Sequence, residues 1–299
     1  MEQSIMIEDV SFGYKKDMVL SHINLELKGN CLACMIGNNG VGKTTLFKLI
    51  AGDMIPVEGK ILVDGVSPEA SVEIKRNIIL SDADTKFPRN LKLSEIMSYF
   101  QESYENFDET FARKLFELFH INEKKAFKEH SLGFQSIVKF IFALSARAPI
   151  TLLDEPVIGM DLGARRKAYK ILLREYIEHP RMIIVSSHML NEMEEIVDYL
   201  ILIQDQKIKT ACEVDKLSNL MFRIDGDASQ LKEIATGQKI IRSTYSNLVN
   251  YIIVQTEDES FLNKVAQTGL SVSRLSLSDI CMYQLNDYEE EGMDALWEE

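Results

Sequence analysis

The strongest chemical signal in the chain is Gly37-Asn38-Asn39-Gly40-Val41-Gly42-Lys43-Thr44-Thr45. It matches G-x-x-x-x-G-K-[ST] and lies between an apolar run that reads as a strand, 32–36, and a helical run, 46–51. Glycines let the backbone curl so that successive N–H groups face inward and form an anion nest. The helix that follows aims its positive end at the same point. Lys43 is expected to meet the β- and γ-phosphates of a nucleotide as a point charge, and Thr44 to offer its hydroxyl to Mg2+.

A second signal is Ile150-Thr151-Leu152-Leu153-Asp154-Glu155-Pro156, a buried apolar strand that ends in two carboxylates. In open α/β sheets ligands gather at the carboxyl ends of the strands, so these acids are expected beside the phosphate loop. Asp154 would orient Mg2+, and Glu155 would polarise an attacking water as general base. Taken alone, Asp154 reads equally well as an acid that ends a strand; the phosphate loop tips the balance to function. Further on, Met182-Ile183-Ile184-Val185-Ser186-Ser187-His188 again runs from a buried strand into polar groups. His188, at that strand end, is expected to hydrogen-bond the γ-phosphate and sense its departure.

The elements that must position these groups can be read coarsely. Strand-like runs fall at 5–10, 22–27, 32–36, 150–153 and 182–185, and they alternate with helical spacing at 94–119 and 133–147. That alternation predicts an α/β domain up to about residue 212. The 94–119 stretch is rich in aromatics, for which core packing is the expected role. From residue 213 to 286 short strand-like pieces (221–224, 239–242, 250–254, 270–272) predict a small α+β accessory domain. Residues 287–299 form an acidic tail, expected to be solvated: the last 14 residues hold seven acids.

Bulk properties narrow the partners. With 299 residues, 46% of them apolar, the chain can bury a sizeable core. A net charge of −13 disfavours nucleic acid as a partner and requires any nucleotide site to make its own positive potential. Cys31 and Cys34 form C-x-x-C, but on a strand positions i and i+3 face opposite sides, so no metal site is expected. Reduced cysteines fit a cytosolic protein. No apolar run approaches the roughly 20 residues that span a bilayer, and the N-terminus carries no basic-then-apolar leader pattern.

Together these pieces resemble the ATP-binding cassette (ABC) of ABC transporters, over roughly residues 3–210. The resemblance implies a P-loop NTPase fold with a RecA-like core, an antiparallel β subdomain and a helical subdomain. It makes the phosphate loop a Walker A, Leu152 to Glu155 a Walker B with catalytic glutamate, and His188 the switch histidine. It implies that Tyr14 stacks on adenine and that Asp161, in Ile158-Gly159-Met160-Asp161, belongs to a D-loop. The family signature L-S-G-G-Q corresponds to His130-Ser131-Leu132-Gly133-Phe134, which keeps Ser131 and Gly133 but not the first glycine or the glutamine. Asp82 stands where the family has its Q-loop glutamine, and the resemblance gives it an approach to Mg2+ or the lytic water. In the family the signature of one subunit completes the site of another. A dimer, homo- or heteromeric, with two ATP at its interface is therefore implied, docked on an integral membrane permease. The chain would then be cytoplasmic and peripheral on the inner face of the cell membrane. Its pattern is similar to bacterial drug, bacteriocin and peptide-antibiotic exporters.

Two other classes compete. Soluble ABC ATPases of DNA repair insert a long coiled coil between the motifs, and those of translation carry two cassettes; neither feature occurs here. P-loop kinases and GTPases lack the Ser131–Gly133 signature and the His188 switch, and guanine readers usually carry N-K-x-D, which is not found.

Overall fold

A computed structural model describes residues 3–88, 90–188, 190–246 and 249–284. The chain divides into two units between Ala211 and Cys212. The acidic tail expected at 287–299 lies outside the described residues.

In chain order the first unit runs β1 (Ser4–Tyr14), β2 (Asp17–Lys28), β3 (Cys31–Ile36), α1 (Lys43–Ile50), β4 (Glu58–Val63), α2 (Val72–Arg76), β5 (Ile78–Ser81), α3 (Leu93–Ser103), α4 (Glu109–Leu118), α5 (Leu132–Ser145), β6 (Ile150–Asp154), α6 (Leu162–Glu178), β7 (Met182–Ser187), β8 (Tyr199–Gln204) and β9 (Lys207–Glu213). Strands β3, β6 and β7 are buried at every position, as strands covered on both faces must be. They lie inside a six-stranded sheet of order β5-β6-β7-β3-β8-β9, parallel from β5 through β8. A two-residue turn, Asp205-Gln206, with both φ positive (48° and 64°), folds β9 back on β8. Strands β2, β1 and β4 form a separate antiparallel sheet of three. One core is shared by both sheets and α1, with Leu20, Met35, Phe47, Ile61, Leu152 and Ile201 among its members.

The helical pattern expected over 94–119 is broken in the structure. Helix α3 ends at Ser103, Tyr104 is extended, and α4 starts afresh after Asp108. The cause is a cap: Asp108 accepts a hydrogen bond from the Phe111 N–H at 2.8 Å, while its own N–H donates to the Ser145 carbonyl. Phe100, Tyr104, Phe107 and Phe142 pack ring on ring around this break, so most of the aromatics are core. Helix α5 covers 132–145 rather than 133–147, with Ser131 as N-cap; Arg147 stands beyond its end at φ 45°. Cys31 and Cys34 are buried and form no disulfide, and burial together with Asp198 pushes the Cys31 thiol up to about 12.

The second unit adds α7 (Val214–Ser218), β10 (Met221–Asp225), α8 (Ala228–Ile234), β11 (Lys239–Tyr245), β12 (Asn250–Gln255), α9 (Glu259–Gln267), β13 (Ser271–Arg274) and α10 (Leu277–Gln284). Its sheet has the order β11-β12-β10-β13 with every neighbouring pair antiparallel. That is the β-α-β-β-α-β, ferredoxin-like arrangement. Phe222, Ile224, Ile252 and Val254 on the sheet meet Leu231 of α8 and Val265 of α9 in a core of its own.

At the amino ends of β6 and β7, a charge cluster ties elements together. Glu175 of α6 meets Arg147 at 2.9 Å and Arg181 at 3.3 Å, and Arg147 also meets Asp108 at 3.0 Å. Glu175 and Arg181 are almost fully buried. Glu175→Gln strands the buried guanidinium of Arg181, and we expect it to cost about 3–5 kcal/mol in a urea unfolding titration of the full chain.

Candidate functional site

Register brings the polar strand ends together. In the parallel sheet Ile36 lies opposite Ser187, and Asp154 lies opposite Ser186. The residues that follow these ends (Gly37, Glu155 and His188) therefore emerge side by side at the carboxyl edge of the sheet.

The phosphate loop turns from β3 into α1 on glycines. Gly42 caps α1 at φ 109°, in left-handed space that a side chain would strain, and a Cβ there would also press on Leu20. Its carbonyl accepts the Leu46 N–H at 2.9 Å and starts the helix. Asn39, Gly40, Gly42, Lys43, Thr44 and Thr45 line a cleft of about 330 Å3 that Tyr14, Val19, Asp154 and Glu155 complete. Gly37, Asn38 and Val41 stay behind the lining: the Lys43 ammonium donates to the Gly37 carbonyl at 2.6 Å and the Asn38 carbonyl at 3.4 Å, and the Val41 N–H donates to the latter.

Lys43 is only 6% exposed and its Nζ lies 3.8 Å from Glu155 Oε1. Burial pushes its pKa below the usual lysine range, and the charges of Glu155 and Asp154 oppose that shift. Asp154 is held from two sides, by the Thr44 hydroxyl and by the Ser186 hydroxyl. Ser186 also accepts the Glu155 N–H at 2.9 Å, with Glu155 at φ 48°, so one hydroxyl fixes both acids. Glu155 Oε2 meets His188 Nδ1 at 2.7 Å. Its Oε1 is buried with no hydrogen-bond partner among the described residues, and it faces the Lys43 ammonium. Ser186 escapes a reading of the sequence because it resembles any strand residue; its one signal is polarity in a fully buried run.

Tyr14 stands at the mouth of the cleft, 46% exposed, with its hydroxyl 3.4 Å from Thr45 Oγ1 and its ring edge-on to Phe12. Its exposed ring can accept a stacked base. Asp82 departs from expectation. It does not line the cleft; its carboxylate lies 3.6 Å from Lys48 and accepts from Thr85 at 2.7 Å. Its carbonyl takes the Lys139 ammonium at 2.9 Å. The approach to Mg2+ expected of Asp82 is thus replaced by contacts to α1 and α5.

Ser131, Gly133 and Asp161 come together elsewhere. With Phe134, Met160 and Lys167 they line a larger cavity of about 550 Å3. Ser131 and Asp161 are N-caps of α5 and α6, and Leu132, where the family has glycine, is 80% exposed. Gly133 sits against Gly159: a Cβ on Gly133 would come within 2.5 Å of the Gly159 carbonyl oxygen. The phosphate-loop cleft and this cavity are thus separate, with no lining residue in common. The donor set of Thr44 and Asp154, one hydroxyl and one carboxylate already in contact, suits a magnesium ion that keeps phosphate oxygens as its other ligands.

The ABC transporter family profile matches residues 20–158. The ABC transporter ATP-binding protein YtrB of Bacillus subtilis is 26% identical over 74% of this chain and 75% of its own. The lantibiotic transport ATP-binding protein SrtF of Streptococcus pyogenes is 27% identical over 72% of this chain and 93% of its own. Among solved structures, the dimeric structure of MJ0796, a bacterial ABC transporter cassette, superposes with a TM-score of 0.61 at 19% identity, over 70% of this chain and 98% of its own. The matched profile, these relatives and the cassette fold agree: residues 20–158 carry the ABC transporter domain, and the chain is similar to the ATP-binding subunits of that family.

Proposed function

We propose that the chain binds Mg-ATP in the phosphate-loop cleft and hydrolyses it to drive export through a separate membrane permease. The observation that carries this reading is the convergence of Lys43, Asp154, Glu155 and His188 at aligned strand ends. In it, the loop N–H groups and Lys43 grip the triphosphate, and Tyr14 stacks on adenine. Glu155 takes a proton from a water whose oxygen bonds to the γ-phosphorus. The bond from that phosphorus to its bridging oxygen breaks, and ADP and phosphate leave. His188 holds Glu155 through Nδ1, and its other ring nitrogen faces the γ-phosphate. Thr44 and Asp154 would hold Mg2+, which neutralises phosphate charge.

The half-site of Ser131, Gly133 and Asp161 would close over nucleotide held by a second ATP-binding subunit. No helix among the described residues is long and apolar enough to cross a membrane, so passage is assigned to an integral permease partner. We place the chain on the cytoplasmic face of the membrane, with 213–286 as an accessory domain. The export direction rests on the resemblance of the motif pattern to drug, bacteriocin and peptide-antibiotic exporters; SrtF is named for lantibiotic transport. The DNA or ribosome alternative is not favoured, since the relatives are named as transport proteins.

Two substitutions test the reading. Lys43→Ala is expected to weaken ATP binding at least about tenfold in a fluorescent-nucleotide titration, through loss of a charge-assisted contact. Glu155→Gln is expected to cut turnover about 100-fold or more while ATP still binds, so that an ATP-dependent dimer accumulates in size-exclusion chromatography. Hydrolysis by Glu155→Gln at the unaltered rate would sink the assignment.

A further inference from the structure

Helix α6 begins at Asp161, whose carboxylate accepts the Ala164 N–H at 2.9 Å. Arg165 and Tyr169 follow at steps of four, so all three share one face of the helix. Side chains on a helix lean toward its amino end, and Arg165 does so: Nε donates to the Met160 carbonyl at 3.0 Å. The other end of its fork, Nη1, lies 3.7 Å from Glu192 Oε1. Glu192 Oε2 is buried and has no hydrogen-bond partner among the described residues. One turn further along α6, Tyr169 is 5% exposed. Burial raises its pKa well above the usual phenol range, and the charges of Glu192 and Glu155 add to that. Its buried hydroxyl, beside Ser187, has no hydrogen-bond partner among the described residues.

Ser187 precedes His188 directly, and Glu192 follows it by four residues. The α6 face thus meets the chain on both sides of the histidine. His188 itself is 46% exposed, so packing does not hold its ring, yet its Nδ1 stands 2.7 Å from Glu155 Oε2. A contact that short fails with a displacement of well under one ångström, so the main chain must be fixed from elsewhere.

We propose that Arg165 and Glu192 are positioning residues that fix the chain around His188 and join it, through the Met160 carbonyl, to the turn carrying Asp161. The His188–Glu155 contact and the Asp161 turn are then set by one network. This rests on the reading of the site as an ATPase.

The test uses the full chain, with steady-state Mg-ATP hydrolysis and hydrogen exchange measured for Arg165→Ala, Arg165→Lys, Glu192→Gln and the Arg165→Ala/Glu192→Gln double variant. Arg165→Ala and Glu192→Gln are each expected to lower kcat about tenfold to a hundredfold, with KM for ATP within about twofold. The double variant should lose no more than either single one, because the two act as a unit. Arg165→Lys keeps the charge but cannot span Met160 and Glu192 together, so it should fall between. Amide exchange in peptides covering 182–194 should rise in Arg165→Ala and stay unchanged in 221–274, whatever the turnover. An unchanged kcat, independent losses that multiply, or unaltered exchange around His188 would each overturn the proposal. So would a fall in kcat matched by the fraction of protein unfolded. Should Arg165→Ala fail to fold, Arg165→Lys and Glu192→Gln carry the same kcat and exchange readouts. Glu155→Gln serves as control: if it equals the unaltered chain, the ATPase reading fails, and the exchange result alone decides the network.

Discussion

An ammonium group with almost no access to water has to be compensated, and the geometry around Lys43 follows from that demand. The compensation comes from two loop carbonyls and two carboxylates, and each has a fixed source in the sheet. Pairing Ile36 with Ser187 and Asp154 with Ser186 puts the loop, the acids and the histidine at one level. A slip of one residue would turn every side chain of a strand to the opposite face. Asp154 would then lose Ser186, and Glu155 its backbone anchor. These strands are buried at every position, on both faces.

The balance is neutral only in part. Lys43 stands against two acids, and Asp154 is further held by neutral hydroxyls rather than by a second cation. Such an arrangement favours an incoming cation beside the carboxylate and an incoming polyanion beside the ammonium and the loop amides. Charge of both signs is therefore drawn into one cleft, although the chain as a whole is strongly acidic.

Local chemistry made much of this legible. The Gly-Lys-Thr run, the acidic strand end and the histidine at the next strand end each sit in a short window, and the buried strands between them announce themselves by unbroken apolar runs. What stayed hidden was set by partners distant in sequence. Asp82 is drawn away by Lys48 and Lys139, on helices whose approach no periodicity reveals. The break between α3 and α4 was masked by aromatics that continue a helical spacing across it, while the decisive signal was a single capping aspartate. Likewise the strand pieces of the second unit could be located individually. Their order, with β10 between β12 and β13, arises only from pairing across the unit.

The approach of Gly133 to the Gly159 carbonyl leaves nothing but hydrogen between two stretches of main chain. Side chains ordinarily cushion such meetings, since they change rotamer and absorb a shift. Here there is no cushion. The turn that opens α5 and the turn that opens α6 touch as two rigid surfaces, so a nudge on one is handed to the other undiminished. At that point the cassette has a joint without play.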